Sequence, residues 1–532
     1  MSASSQGLDA AVVAVCAIAT GLAGLRWLRV AQREHYLTDA TSRFALRWWL
    51  RNPVNLALLV VAAAGLVLSS RWPATGFATA VAVAVGPVGL GLRGRTSPMA
   101  WTRRLRTLAG VWAALQGGGL AAGIVLGSGP LAAAAGALAV PALVDAACAL
   151  TAPVEWYLSG RYVSRAAARL RKVSPRVVAI TGSYGKTSTK GYVAHLLSGT
   201  FAVVASPASF NNRAGLARTV NEHLAEGTEV LVAEMGTYGK GEIAALCRWL
   251  TPDVSVITAI GPVHLERFGT EDAIARAKSE ILVPAGCVVL AADDPRLAAL
   301  ADKSELDGKT VWRVSALDHD ADVCVEEGEG QLRLWVRGEK LAELSLDARP
   351  VNVGCAAAVA LELGVGTQTV VERLPTLPTA PHRLEPAPTA SGRCLVLDDT
   401  YNANPTGART ALDALVRLAP PGGRRAVVTP GMVELGARQR EENARFAAAA
   451  AAVASDIVVV GRTNRRALLR GARDGRTDDA DGHGGPDDHE GTPGHPRMVV
   501  VDTRDRAVSW VRDTLGEGDV ALFENDLPDH YP

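Results

Sequence analysis

The sequence predicts a multi-domain chain in which an N-terminal α-helical transmembrane bundle is followed by an open α/β sheet. Charged residues are sparse before about residue 155 and frequent after it. Long apolar runs fall in the first part, and short apolar runs alternate with helical patterns in the second. With 532 residues, the chain is long enough for about three domains.

The composition excludes several classes of protein. The net charge is +1, so the chain has no global attraction to nucleic acid, and we expect no nucleic-acid partner. The seven cysteines are scattered and form no Cys-x-x-Cys motif, which argues against a disulfide framework and a zinc site. The hydrophobic fraction is 48% and the mean hydropathy is +0.14, values that are high for a soluble enzyme.

The long apolar runs cover residues 10–25, 54–70, 74–92, 108–127 and 131–153. Each approaches the roughly 20 residues that cross a bilayer as a helix. Basic residues concentrate in residues 26–53, 93–106 and 161–172, and basic loops stay in the cytoplasm. We therefore predict a multi-pass protein of the cell membrane with about five spans and with cytoplasmic domains after residue 155. The alternative is a buried all-α soluble domain.

Asp145 is an acidic residue inside the last of these apolar runs. A carboxylate within a span is a functional candidate by default. Because Asp145 lies near the predicted cytoplasmic end of its span, we favour a role in snorkelling or helix pairing.

Residues 177–190 contain a strand, a glycine-rich loop and the start of a helix. The loop reads Thr181-Gly182-Ser183-Tyr184-Gly185-Lys186-Thr187-Ser188. Its glycines let backbone N–H groups point at phosphate oxygens, and the new helix adds the positive end of its dipole. Lys186 can reach the outer phosphates, and the Thr187 hydroxyl can bind Mg²⁺. The alternative is an ordinary glycine-rich turn between a strand and a helix.

Further strands are predicted at residues 201–205, 230–234, 254–260, 287–291 and 311–314. They form an open, largely parallel sheet, which binds ligands at the carboxyl ends of its strands. Glu234 ends one strand and can hold Mg²⁺ opposite the phosphate loop, and His264 follows another strand in a Gly-Pro turn. Taken alone, Lys278 on a helix would be an exposed lysine, and Asn212 would be an ordinary loop residue.

These residues occur in segments whose order resembles the Mur ligase family. The segments are Thr-Gly-x-x-Gly-Lys-Thr at residue 181, Asn-Asn-x-x-Gly at 211, Glu-Met-Gly at 234, His-Leu-x-x-Phe-Gly at 264 and Ala-Lys-x-Glu-Ile at 277. Residues 398–405, Asp-Asp-Thr-Tyr-Asn-Ala-Asn-Pro, resemble the signature of one branch, the UDP-N-acetylmuramoyl-tripeptide–D-alanyl-D-alanine ligases. The resemblance covers residues 175–525 in segments.

The resemblance implies that ATP converts a carboxylate into an acyl phosphate, which an amine then attacks to form an amide. It implies ATP contacts from Thr181, Gly182, Ser183, Gly185, Lys186, Thr187, Ser188, Arg383 and Asp399. Two Mg²⁺ ions would bind at Thr187, Glu234, His264 and a carbamylated Lys278. The catalytic residues would be Lys186, Asn212, His264 and Lys278. Tyr401, Asn402 and Asn404 would shape the loop that faces the reaction centre.

The apolar runs predict a membrane domain at residues 1–155. The resemblance implies a P-loop Mur-ligase central domain at 173–378 and a smaller α/β C-terminal domain at 379–532. Residues 474–497 are rich in Gly, Asp, Pro and His, and we predict a disordered insertion there. The family's UDP-sugar domain is missing, and the membrane spans occupy its place. Glu524-Asn-Asp526 stands where the branch has Lys-Gly-Ser, which exchanges a cation for an anion.

The leading hypothesis is a membrane-anchored, ATP-dependent ligase that joins a carboxylate to an amino acid or dipeptide in cell-wall synthesis. A membrane lipid and other envelope-biosynthesis proteins are expected partners. A ligase for poly-amino acids or peptide natural products is the alternative within this class. A transport ATPase would explain the membrane spans but not Lys278 or residues 398–405. A non-catalytic nucleotide-binding scaffold would keep its role after Lys186→Ala.

Overall fold

The computed structural model describes residues 3–92, 99–207, 210–302, 306–328, 331–346, 348–378, 385–388, 394–400, 404–475 and 495–524. The chain forms two compact units, one up to Ser159 and one from Gly160 onwards. This division falls close to the predicted domain end at residue 155.

The first unit is helical. Its helices are α1 (Ala3–Arg33), α2 (Ala40–Arg51), α3 (Pro53–Ser69), α4 (Gly76–Val85), α5 (Arg103–Val125), α6 (Gly129–Leu138) and α7 (Val140–Val173), the last of which continues into the second unit. Local sequence signals set several helix starts. Pro53 occupies the first turn of α3, and the Thr102 side chain accepts a hydrogen bond from the Leu105 N–H at the start of α5.

By length and composition, the described part of the chain holds two helices that could each cross a membrane, α1 and α5. The bent pairs α2–α3 and α6–α7 raise the number to four if each pair is one span. The number of about five spans stays a prediction. Predicted run 74–92 yields only the ten-residue helix α4, because Gly86 before Pro87 takes an extended conformation. Ten residues of helix are about 15 Å long, half of the roughly 30 Å hydrocarbon core.

Asp145 on α7 lies at the amino end of α2. Its carboxylate accepts hydrogen bonds from the backbone N–H groups of Thr41 and Ser42, at 3.1 and 2.7 Å. The N-cap residue of α2, Asp39, makes no side-chain capping bond, so Asp145 supplies the cap from another helix. The side chain is buried, which fits the predicted helix-pairing role and not snorkelling.

The central domain is built on a sheet in which nine strands are described. They are β1 (Arg176–Thr181), β2 (Val203–Ala205), β3 (Val230–Glu234), β4 (Val254–Ile257), β5 (Cys287–Ala291), β6 (Thr310–Ser315), β7 (Val323–Gly328), β8 (Gln331–Val336) and β9 (Glu339–Leu344). Their order is β2-β3-β1-β4-β5-β6-β7-β8-β9. The strands pair in parallel as far as β7, and β8 and β9 add an antiparallel edge. The predicted open, largely parallel α/β sheet is confirmed.

Helices cover both faces of this sheet. They are α8 (Lys186–Leu197), α9 (Arg213–His223), α10 (Glu242–Leu250), α11 (Leu265–Phe268), α12 (Glu271–Ser279), α13 (Pro295–Ala301), α14 (Pro350–Glu362) and α15 (Thr367–Arg373). One apolar core lies under α8 and α14, and another lies under α9, α10 and α12. Since both faces are buried, the parallel strands read in the sequence as continuous apolar runs.

The C-terminal domain has a second sheet, whose described strands follow the order β10-β11-β15-β12-β13-β14. The strands are β10 (Glu385–Pro388), β11 (Leu395–Asp399), β12 (Arg425–Thr429), β13 (Asp456–Val460), β14 (Arg497–Val501) and β15 (Val520–Glu524). Helices α16 (Pro405–Leu418), α17 (Gln439–Val453) and α18 (Arg465–Asp474) cover one face, and α19 (Arg504–Thr514) covers the other. Most of the predicted insertion at residues 474–497 lies outside the described residues.

Candidate active site

The glycine-rich loop joins the end of β1 to the start of α8 at the carboxyl edge of the central sheet. Gly185 is the N-cap residue of α8 and has φ +80°, a left-handed conformation that favours glycine. A Cβ atom at Gly185 would also lie 2.4 Å from the Asn352 Oδ1 atom. Backbone conformation and close packing therefore both require glycine here, and the loop keeps the open amino end of α8 free of side chains.

Two predicted ATP-contact residues use their side chains to hold this loop in place. The Thr181 hydroxyl donates to the Met235 carbonyl at 2.8 Å. The Ser183 hydroxyl donates to the Gly261 carbonyl at 3.1 Å and accepts from the Gly261 N–H at 3.0 Å. Ser188 is half-buried in the first turn of α8. The loop is thus anchored to the segments that follow β3 and β4.

Two lysine side chains converge on the loop. The Lys186 Nζ atom lies 2.7 Å from the Gly182 carbonyl oxygen, and the Lys278 Nζ atom lies 3.0 Å from the same oxygen. Lys278 is only 5% exposed. Burial, together with the charge of Lys186, lowers the pKa of Lys278 well below its usual value. The two amino groups thus lie close together at the amino end of α8, and a helix amino end is a place that binds anions.

Glu234 lies at the end of β3, next to the loop. Its carboxylate accepts hydrogen bonds from Thr187 Oγ1 at 3.0 Å, Lys190 Nζ at 3.1 Å and Asn211 Nδ2 at 3.1 Å. Burial by itself raises the pKa of Glu234, but the charges of Lys190 and Lys186 outweigh it and the pKa is lowered. The structure thus brings Thr187 and Glu234 together, and the carboxylate is ionised at neutral pH.

His264 lies beyond β4 and contacts the C-terminal domain. Its Nδ1 atom is 2.5 Å from the Glu434 Oε2 atom, and its ring packs against the Tyr238 ring with centroids 4.9 Å apart. His264 and Glu434 both have positive φ values, +61° and +63°, which are unusual outside glycine. Among the described residues, no three His, Cys, Asp or Glu side chains form a ready metal cluster. The predicted second metal site at His264 therefore stays a prediction.

The start of α16 lies beside the phosphate loop. The Tyr184 side chain is next to Thr406, and Arg349 Nη2 donates to Thr410 Oγ1 at 3.2 Å. Asn404 caps α16 by accepting a hydrogen bond from the Gly407 N–H at 2.9 Å. Asp399 is buried at the end of β11, a few residues before this helix. Arg383, Tyr401 and Asn402 lie outside the residues that the structure describes.

Comparison with known proteins identifies this arrangement. Residues 180–347 match the Mur ligase middle domain, and residues 382–524 match the Mur ligase glutamate ligase domain. The UDP-N-acetylmuramoyl-tripeptide–D-alanyl-D-alanine ligase of Mycobacterium tuberculosis is 35% identical over 376 residues, which are 65% of this chain and 70% of that protein. This chain belongs to the Mur ligase family.

A further relative and two solved structures support the same family. The Bacillus subtilis ligase of the same name is 32% identical over 277 residues, 51% of this chain and 59% of that protein. The crystal structure of MurF from Acinetobacter baumannii has a TM-score of 0.57 at 25% identity and covers 69% of this chain and 77% of that one. MurF from Thermotoga maritima in complex with ADP has a TM-score of 0.56 at 25% identity, with coverages of 69% and 80%. The predicted family, its ligase class and its two α/β domains are confirmed.

The structure of this Mur ligase places the predicted catalytic residue Asn212 at the start of α9, and its catalytic role stays a prediction. Asn212 caps α9, because its side chain accepts a hydrogen bond from the Gly215 N–H at 2.9 Å. Its neighbour Asn211 reaches the Glu234 carboxylate instead. The two asparagines are adjacent in sequence, and only the backbone direction at the start of α9 decides which of them faces the site.

Sequence reasoning missed two residues that contact predicted site residues of this Mur ligase, Lys190 at Glu234 and Glu434 at His264. Lys190 lies one helical turn after Lys186 on α8, so its spacing could have placed it on the face that carries Lys186. Glu434 occurs in the segment Gly431-Met-Val-Glu-Leu-Gly436, which gives no chemical hint of a contact 170 residues away. Only the packing of the two α/β domains reveals that contact.

We expect Glu434→Ala to lower the rate of ATP-dependent phosphate release by about tenfold, the usual effect of losing a partner that orients a site histidine. The double variant with His264→Ala should be no slower than His264→Ala alone, since both changes act on one contact. Glu441→Ala, which removes an exposed carboxylate paired with Arg445, is the matched control and should leave the rate unchanged. Additive losses in the double variant would contradict this positioning role.

Proposed function

We propose that this Mur ligase uses ATP to join a carboxylate to an amino acid or dipeptide during peptidoglycan synthesis, through an acyl phosphate. The observation that carries the proposal is the meeting of Lys186 and Lys278 on the Gly182 carbonyl, beside the Thr187–Glu234 contact. Phosphoryl transfer to a carboxylate brings together negatively charged groups, so it needs fixed positive charge and exact positioning. The Lys186 ammonium group at the phosphate loop meets that need, and Lys278 lies beside it.

Each residue has a proposed part in this reaction. Lys186 moves from the Gly182 carbonyl to the outer phosphates of ATP and stabilises the charge that develops there. Thr187 and Glu234 would hold Mg²⁺, because hydroxyl and carboxylate oxygens are the ligands that this ion takes. When bound, the ion would neutralise phosphate charge. Lys190 keeps Glu234 ionised, and Asn211 fixes the orientation of its carboxylate. Arg383 and Asp399 would contact the nucleotide.

Lys278 is proposed to carry a carbamate in the active enzyme. Only a neutral amine reacts with CO₂, and the lowered pKa of Lys278 populates that form. The product is an anion, which removes the repulsion between Lys278 and Lys186 and adds oxygen ligands beside the loop.

We expect ¹³C-labelled bicarbonate to give a carbamate signal in the wild-type protein and none in Lys278→Met. The same variant should lose about 100-fold in phosphate release, the effect of one misplaced charged group. Lys240→Met, at an exposed lysine, should keep both the signal and the rate. A wild-type spectrum without the signal, in a sample that turns over ATP, would show that the amine acts unmodified.

The substrates are proposed from the named relatives. The acid is a muramoyl tripeptide and the amine is D-alanyl-D-alanine, as in the names of the Mycobacterium and Bacillus ligases. The matches to these two relatives cover 65% and 51% of this chain. The helical unit up to Ser159 differs from the rest of the chain in having few charged residues. A poly-amino-acid or peptide natural-product ligase remains the second candidate, favoured by Glu524-Asn-Asp526 in place of Lys-Gly-Ser.

We further propose that the helical unit anchors the enzyme in the cell membrane, with the two α/β domains in the cytoplasm. Helices α1 and α5 have the length and composition for this, and basic residues concentrate in residues 26–53, 93–106 and 161–172. A membrane lipid and other envelope-biosynthesis proteins would then be neighbours of the enzyme. The protein should stay with membranes after a high-pH carbonate wash, and its release by that wash would reject the anchor.

The ligase proposal is tested with the full chain in detergent. With ATP and Mg²⁺, UDP-N-acetylmuramoyl-tripeptide and D-alanyl-D-alanine should yield a product whose mass is that of acid plus amine minus water. Phosphate release should require the acid, and amide formation should require both substrates. ATP turnover that neither substrate changes would reject the ligase and favour a transport ATPase.

A further inference from the structure

Glu280 is the C-cap residue of α12 and follows Lys278 by two positions in the segment Ala-Lys-Ser-Glu-Ile at residues 277–281. The carboxyl end of a helix carries partial negative charge, so the dipole of α12 disfavours a carboxylate at this position. A contact outside α12 must therefore compensate the charge of Glu280.

The compensating contact is the amino end of α10. The Gly241 N–H donates to the Glu280 Oε1 atom at 2.7 Å, and the Ala244 N–H donates to the Oε2 atom at 3.0 Å. Gly241 is the N-cap residue of α10 and has no side chain with which to cap it. Both carboxylate oxygens of Glu280 thus meet the N–H groups at the positive end of a neighbouring helix. One side chain joins the carboxyl end of α12 to the amino end of α10.

The residues that follow α12 are held by other elements. The Ser255 hydroxyl on β4 donates to the Ile281 carbonyl at 2.8 Å. The Lys309 ammonium, just before β6, donates to three backbone carbonyls within residues 282–285, at 2.6 to 3.1 Å. These bonds tie the chain beyond α12 to the central sheet, and Glu280 ties the end of the helix itself to α10.

The segment that leads from Glu234 to α10 lies beside other predicted site residues. The Tyr238 ring, in this segment, packs against the His264 ring with centroids 4.9 Å apart. Glu280 therefore joins the helix that carries Lys278 to a segment that begins at Glu234 and packs on His264. Its carboxylate bridges parts of the chain that carry three predicted site residues.

We propose that Glu280 is a positioning residue that holds Lys278 at the phosphate loop. The inference rests on the proposed part of Lys278 in the ligase reaction. Lys278 is 5% exposed, and its Nζ atom lies 3.0 Å from the Gly182 carbonyl oxygen. Because Glu280 is only two residues away, a shift of the end of α12 also shifts the Lys278 backbone. A displacement of about 1 Å in a reaction centre can lower a rate about 100-fold.

The experiment compares Glu280→Ala with the full-length wild-type enzyme. The kcat of ATP-dependent phosphate release should fall about 10- to 100-fold. The KM for ATP should stay within about twofold, because Thr181 and Ser183 hold the phosphate loop without Glu280. Glu280→Gln keeps one acceptor oxygen, so its kcat should lie between those of the wild type and Glu280→Ala. Thr503→Ala, which removes the side-chain cap of α19, is the matched control for lost helix capping and should leave both constants unchanged.

A double variant separates positioning from a general loss of stability. If Glu280 acts through Lys278, Lys278→Met combined with Glu280→Ala should be no slower than Lys278→Met alone. Losses that multiply in the double variant would overturn the positioning role. The same comparison with Glu280→Gln decides the question if Glu280→Ala does not fold.

The same measurements distinguish the inference from the proposals on which it rests. A slow Lys278→Met together with Glu280→Ala at the wild-type rate would overturn the positioning role alone. Lys278→Met at the wild-type rate would overturn the proposed part of Lys278 and this inference with it. Wild-type phosphate release that does not require the acid substrate would reject the ligase proposal, whatever the rates of the variants.

Discussion

Lys186→Ala is expected to lower the rate of ATP-dependent phosphate release by about 100- to 1,000-fold, as does the loss of one positioned electrostatic contact in a reaction centre. The Lys186 ammonium lies 2.7 Å from the Gly182 carbonyl oxygen at the open end of the phosphate loop, within reach of the outer phosphates. Alanine removes that charge without changing the backbone of α8, because it is a good helix former. Steady-state phosphate release over a range of ATP concentrations measures the effect.

The matched control for this variant is Lys172→Ala. Lys172 is an exposed lysine at the end of α7 that pairs with the exposed Glu226, and such pairs contribute little to stability. We expect its rate and its unfolding temperature to equal those of the wild type. If Lys186→Ala kept the wild-type rate, the loop would take no part in phosphate transfer.

Glu234→Gln is expected to abolish Mg²⁺-dependent turnover and also to destabilise the central domain. Glu234 and Lys190 form a buried ion pair, with side chains that are 2% and 7% exposed. Glutamine leaves the Lys190 charge buried without its counter-charge, which costs about 3 kcal/mol. Such a loss lowers the midpoint of thermal unfolding by several degrees. Glu222→Gln, in an exposed pair with Arg218, should change the midpoint by less than about 1 °C.

Glu234 is also expected to make the stability of the central domain depend on pH. The folded-state pKa of Glu234 is below its ordinary value of 4.5, so its ion pair contributes stability above pH 4.5. That stability is lost as the pH falls through the lowered folded-state pKa, because the unfolded state takes up the proton first. The unfolding midpoint of the wild type should therefore fall more steeply below pH 4.5 than that of Glu234→Gln. Parallel curves would show that Glu234 is not ionised in the folded protein.

The sequence alone was sufficient to predict the strands and the phosphate loop on which the site is built. The strands at β1, β3 and β5 were predictable because helices cover both faces of the sheet, so that each strand is a continuous apolar run. The phosphate loop was predictable because a left-handed residue at position 185 requires glycine, and a lysine must follow it at the start of a helix. Glu234 was placed correctly because the carboxyl end of a strand fixes the edge of the sheet on which its side chain lies.

Long-range packing decided the features of the site that the sequence did not predict. Asn211 rather than Asn212 meets Glu234, and Glu434 meets His264, through contacts that leave no periodic signal in the sequence. Gly86 ends α4 after ten residues, and bends separate α2 from α3 and α6 from α7, which the apolar runs did not predict. Local sequence determined which segments become strands, helices and a phosphate loop, since those choices depend on neighbouring residues. The tertiary structure decided which side chains meet, because such contacts join residues far apart in the chain.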